Sequence, residues 1–183
     1  MVLISGPWTE GALIVIALRL LVPLLIFRWN LVGALLAMLL DTVDVILVDL
    51  MGIGGFEGHY HTTDKLLDSW YLGIELIVAL QWDNAWAKWP AVALFAYRAI
   101  GVVVFELTQA RIALFIFPNL FENWWLYVVI VAKWWPRLSP SSLKSTLVPL
   151  LILLVPKMAQ EYLLHFAEAQ PWDWTKDNIL HWD

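Results

Sequence analysis

Residues Leu31 to Leu50 read LVGALLAMLLDTVDVILVDL, twenty residues in which Thr42 and the aspartates at 41, 44 and 49 are the only polar side chains. A run of this length and character matches the roughly 20 residues that an α-helix needs to cross a hydrocarbon core of about 30 Å. Its apolar residues are continuous rather than alternating, which favours a helix over a strand of a membrane barrel. Three acids inside such a run are costly in lipid and mark a functional position. Fold and function are therefore both posed by this one stretch.

Working outward, similar windows recur at 11–27, 66–81, 91–108, 121–135 and 146–166. With 31–50 they predict an all-α, polytopic membrane protein of about six transmembrane helices in one bundle, a single transmembrane domain over 1–183. Composition agrees: 61% of the 183 residues are apolar and 15% charged, and the mean hydropathy is +0.72, whereas soluble domains carry about a quarter charged residues. Many of the 13 tryptophans, Trp8, Trp29, Trp82, Trp86, Trp89, Trp134 and Trp135 among them, fall near predicted helix ends, the level of the interfacial aromatic belt. The first apolar run follows Glu10 and contains Arg19 and Pro23, so it reads as a retained helix and not a cleaved signal. The 51–58 and 137–145 stretches read as loops, and the tail over 170–183 as an interfacial segment. Counting Lys and Arg on either side of six spans places the N-terminus outside.

The absence of cysteine excludes disulfides and thiolate chemistry, and a net charge of −5 argues against nucleic acid as a partner. No serine-hydrolase elbow, zincin motif or P-loop is present. What remains is a set of carboxylates. Asp41 and Asp44 share one helix face, as do Asp64 and Asp68 at the start of the next window, with Glu75 deeper. A short connection makes these two helices antiparallel neighbours, which brings both pairs toward one end. Four acids in a low dielectric repel one another unless a cation joins them, and an all-oxygen set suits Mg²⁺, Mn²⁺ or Ca²⁺. Two other readings stay open: Asp49 and Asp64 as solvated helix ends, and Asp41 and Asp44 as ion-pair partners of Arg19 or Arg98. Lys157, Glu161 and His165 follow at four-residue spacing as a helical ladder, a cavity lining or a further ligand set. Arg98 and Glu106 are expected on one face in support of the core site. His59 and His61 beside carboxylates suggest zinc less strongly than a loop does.

The first three windows resemble the CDP-alcohol phosphotransferases, six-helix membrane enzymes of phospholipid synthesis. The resemblance is carried by Ala17-Leu18-Arg19-Leu20-Leu21-Val22-Pro23-Leu24-Leu25 in the first window. Asp41-Thr42-Val43-Asp44 and Asp64-Lys65-Leu66-Leu67-Asp68 supply the two aspartate pairs at close to the family's separation. It covers roughly residues 11–81. It implies that Asp41, Asp44, Asp64 and Asp68 form a metal site for Mg²⁺ or Mn²⁺, with Asp68 also the catalytic base toward an acceptor alcohol. Val45, Val48, Asp49 and Tyr60 stand where the family has the small residues and the arginine that accommodate the cytidine nucleotide. The expected donor is therefore a lipid-linked phosphate with another head group, or one held by other residues. A non-catalytic relative, serving as a structural or assembly subunit of a larger membrane complex or a homodimer, is the alternative; a metal or proton pathway through the same acids is a third. The expected location is a prokaryotic cytoplasmic membrane.

Overall fold

The computed structural model describes residues 10–51 and 60–163, with 167, 174–175 and 178–179 of the tail; the side chains of 10–12, 44, 45, 47–51 and 60–65 are not among those described. The described residues are all-helical. Helix α1 (Glu10–Leu21) passes into a 3-10 turn over Val22–Phe27, and α2 (Asn30–Met51) follows. Next come α3 (Tyr60–Leu80), α4 (Ala85–Thr108), a short α5 (Ile112–Ile116), α6 (Leu120–Trp134), a 3-10 turn over Pro136–Leu138, and α7 (Leu143–Glu161). Each window overlaps described helical residues; α3, α4 and α7 begin earlier than their windows, the window at 11–27 takes in α1 and the 3-10 turn, and no window covered α5.

Local chemistry sets the boundaries. Pro23 stands in the first turn of the 3-10 segment, where a missing N–H is tolerated. The Asn84 side chain accepts from the Trp86 N–H to start α4, and Gln109 closes that helix in the left-handed region at φ 54°. Ser142 and Ser145 form a reciprocal capping box at the start of α7. Pro149 and Pro156 lie inside α7 without ending it.

At the centre stands α6, which packs against α2, α3, α4 and α7. Its Phe121, Trp124 and Trp125 are fully buried. Small side chains opposite them, Ala79 on α3 and Ala87 and Ala91 on α4, leave room for the indoles. Each indole N–H finds a carbonyl, Trp124 donating to Ala87 O at 3.0 Å and Trp125 to Glu75 O at 2.8 Å. A dry core that buries tryptophan requires such partners. By contrast Trp29, Trp86, Trp89, Trp134 and Trp135 are exposed near helix ends, as expected of the interfacial belt; Trp8 lies outside the described residues.

Three helical stretches are long and apolar enough to cross a membrane: α4 (Ala85–Thr108), α5 together with α6 (Ile112–Trp134), and α7 (Leu143–Glu161). The expectation of six such spans is therefore corrected to three among the described residues. Among the described residues, Leu13–Phe27 and Asn30–Val43 are apolar but shorter. Helix α3 carries Asp64, Lys65, Asp68 and Glu75, too many charges for a span of lipid alone. Large apolar side chains still face outward, including Leu107, Leu151, Ile152 and Val155. That outer surface suits a bilayer and not water.

The 3-10 turn folds back onto α2 so closely that Gly33 has no room for a side chain. A Cβ there would lie 2.6 Å from the Leu25 carbonyl carbon and 2.8 Å from Ile26 Cα, both backbone atoms that cannot yield. Gly33→Ala is expected to lower stability by about 1–3 kcal/mol in detergent. Gly73→Ala, where nothing stands within 4 Å, is expected to leave stability unchanged or raise it slightly. Thermal unfolding of the two variants side by side checks the contrast.

Candidate functional site

Helix α1 packs against both α2 and α3, and this places Arg19 between their acids. The guanidinium is nearly buried. Its Nη2 donates to Asp41 Oδ1 and, at 2.6 Å, to Asp68 Oδ1. Two carboxylates 27 positions apart therefore converge on one nitrogen. The expected convergence of α2 and α3 is present, and the group that joins them is the arginine of the ion-pair reading. Asp44 and Asp64 lie on the same two helices, one turn from Asp41 and Asp68; their side chains are outside those described. So is that of His61, and His59 and His165 are themselves outside the described residues.

Toward the core, the seam of polar groups continues. The Tyr71 hydroxyl, one turn along α3 from Asp68, lies 2.9 Å from Glu75 Oε1 and 3.3 Å from Glu122 Oε1. A phenol has one proton to donate, so one hydroxyl serves two carboxyl groups. Glu75 is fully buried, and its Oε2 has no donor among the described residues. Asn119 Nδ2 donates to Glu122 Oε2 at 2.9 Å, and the Asn119 backbone N–H donates to Glu161 Oε1 at 3.1 Å. Glu161 is paired in turn with Lys157 at 3.1 Å, both nearly buried on α7. Asp68, Lys157 and Arg98 all lie within electrostatic reach of Glu122. Hydrogen bonds and an ion pair thus run from Tyr71, one helical turn along α3 from the Arg19 group, through Glu122 and Asn119 to Glu161 and Lys157 on α7.

The α5–α6 junction explains part of this set. A helix broken within lipid exposes backbone groups that must be satisfied by protein. Tyr97 donates to Ile116 O at 2.7 Å, and Arg98 Nη1 donates to Phe117 O at 2.9 Å. Glu161 takes the Asn119 N–H on the other side of the break. Arg98 is thus engaged with a carbonyl, not with Asp41. Glu106, expected to share its face, is exposed and stands apart. Eight residues of α-helix turn the chain about 80° past two full rounds, enough to part the two side chains. The ladder reading of Lys157 and Glu161 holds for that pair.

Glu122, Asn119 and Tyr71 were not singled out in the sequence. A signal for Glu122 existed, because an acid flanked by Leu120, Phe121, Trp124 and Trp125 has no solvated face to occupy. Tyr71 gave none, since a tyrosine on an apolar helix is ordinary core.

The donor chemistry of Asp41 and Asp68 fits a hard divalent cation, but the place between them is taken by Arg19. Among the described residues no three acid or imidazole groups gather closely enough to hold a metal. A cation would therefore need Asp44 and Asp64, and a turn of Arg19 away from the acids.

Fold and site together define a helical membrane protein with a charged interior. Compared with known families, curated proteins and solved structures, the chain matches none.

Proposed function

We propose that the chain is a divalent-metal-dependent phosphotransferase of the bilayer, acting on a lipid-linked phosphate donor and an alcohol acceptor. In this reading α1, α2 and α3, which carry the acids and Arg19, pack beside the three longer spans. The observation that carries it is the meeting of Asp41 and Asp68, from two helices, at a single nitrogen of Arg19. Charge supports it as well. Asp41 and Asp68 carry two formal negative charges at the one guanidinium of Arg19, and Asp44 and Asp64 lie one helical turn from them along the chain. Arg19, Arg98 and Lys157, all nearly buried, offer positive charge to phosphate oxygens. Placing this many charged groups inside a membrane protein is costly and favours a site over a scaffold.

Asp41, Asp44 and Asp64 would hold Mg²⁺ or Mn²⁺, which when bound neutralises phosphate charge on the donor. Asp68 would accept the proton of the acceptor hydroxyl as its oxygen attacks phosphorus and the bond to the leaving phosphate breaks. Arg19, turned from its carboxylates, would grip phosphate oxygens through two parallel N–H groups. A second reading is favoured by the present position of Arg19. With Arg19 bound to both acids, the cluster is an ion-pair lock, and the chain a non-catalytic subunit of a larger membrane complex.

Mn²⁺ binding to protein in nanodiscs, followed by electron paramagnetic resonance, separates these. Asp41→Asn and Asp64→Asn are each expected to weaken binding at least about tenfold, the loss of one charge-assisted contact. Asp68→Asn is expected to keep most of the binding and to abolish transfer from a lipid-linked diphosphate to a labelled alcohol. Binding without transfer in the parent protein would favour the subunit, and absence of binding would remove the enzyme.

A further inference from the structure

Well away from the acids lies a second feature, a cavity of about 700 Å³ where the ends of α2, α3, α4 and α6 meet the 139–140 loop. Asp68 to Leu80 is twelve residues of α3, about 18 Å at the helical rise, so this cavity and the Arg19 site are separate. Its volume is within the range of ligand sites. One part of its wall is apolar, with Leu31 and Val32 from α2 and Val128 and Val129 from α6. Another part is polar and carries one charge of each sign, Asp83 from the α3–α4 turn and Lys133 from the last turn of α6.

These two charges line one cavity yet do not meet. Neither forms a hydrogen bond or an ion pair among the described residues; the Lys133 ammonium instead rests 4.8 Å from the centre of the Trp134 ring. Opposite charges that line one cavity without pairing with each other complement a ligand that carries both signs. Trp82 also lines the cavity, its ring set against the fully buried Trp125 at 6.2 Å between centres. An aromatic face beside a carboxylate is a common receptor for an ammonium group. Exposed Trp29, on the cavity rim, and the neighbouring Trp134 and Trp135 mark this end as the headgroup level.

We infer that this cavity binds the headgroup of a zwitterionic phospholipid, the phosphate toward Lys133, the ammonium toward Asp83 and Trp82, and the acyl chain stems along the apolar wall. The inference does not depend on the proposed transferase activity, and its test leaves the Arg19 cluster untouched.

Native mass spectrometry of the purified full chain, titrated with phosphatidylethanolamine or phosphatidylglycerol, tests it. The expected result is a single retained phosphatidylethanolamine, with Lys133→Gln and Asp83→Asn each weakening it by about tenfold or more. Phosphatidylglycerol has no ammonium group, so its weaker binding is expected to fall with Lys133→Gln but not with Asp83→Asn. Soluble phosphoethanolamine is expected not to displace the lipid; displacement at equal concentration would assign the cavity to a free phosphate ester and overturn the lipid. Equal retention of both lipids by the parent and both variants would overturn the site altogether. Circular dichroism of each variant shows that a loss of lipid is not a loss of fold.

Discussion

Arg19→Ala is expected to destabilise the protein by on the order of 3 kcal/mol, the lower edge of what is lost when one partner of a buried ion pair is removed. The lower edge applies because Asp41 is 43% exposed and keeps part of its hydration, whereas Arg19 is 5% exposed and Asp68 25%. Without the guanidinium, Asp41 and Asp68 face each other across the space it filled, and repulsion adds to lost hydrogen bonding. Adding Asp41→Asn and Asp68→Asn to Arg19→Ala is expected to restore much of the stability, since neutral amides do not need the cation. The same variant also probes the metal. With Arg19 gone, Mn²⁺ is expected to raise the unfolding midpoint of Arg19→Ala and to do less for the parent, because a ligand that binds only the folded state stabilises it. Unfolding curves in mild detergent, with and without Mn²⁺, check both. If Arg19→Ala unfolds like the parent, the cluster is a solvated surface feature and the site has no basis.

The second large effect is expected at the broken helix. Glu161→Leu removes the carboxylate that pairs with Lys157 and accepts the Asn119 N–H beyond the α5–α6 junction. The nearly buried Lys157 ammonium keeps the neutral Gln160 Oε1 at 3.1 Å but loses its paired carboxylate, and the Asn119 N–H loses an acceptor. Together these are expected to lower stability by about 3–5 kcal/mol. Lys157→Met/Glu161→Leu is expected to recover most of that, because the uncompensated charge goes with its partner; the Asn119 N–H accounts for the remainder. A double-mutant cycle measured by equilibrium unfolding isolates the pair term. Additive effects of the two single variants would show that the ammonium and the carboxylate act independently, contrary to their 3.1 Å separation.

Much of the helix layout was readable before the structure, because helix formation in an apolar chain depends on local runs. The six windows at 11–27, 31–50, 66–81, 91–108, 121–135 and 146–166 each overlap described helical residues, the first taking in both α1 and the 3-10 turn. Other features were misjudged. No window covered the short α5; the break after it has a local cause in Pro118, which lacks an N–H and restricts Phe117, while Tyr97, Arg98 and Glu161 satisfy the freed backbone groups from other helices. The number of spans was overread for another reason. Aspartates in α2 and four charges in α3 can be housed against protein, so these helices need not be apolar throughout, and hydropathy does not tell what covers them.

Sequence alone determined that this is a helical membrane protein and that Asp41 and Asp68 belong to one end of adjacent helices, since both follow from composition and from helical spacing. Tertiary structure decided what meets those acids. Arg19 comes from a third helix, and Glu122, Asn119, Glu161 and Lys157 join the seam from two more. Spacing along a chain orders residues on a single helix face; it holds no information on which face another helix presents, because that is settled by how side chains such as Trp124, Trp125 and the alanines opposite them fill space.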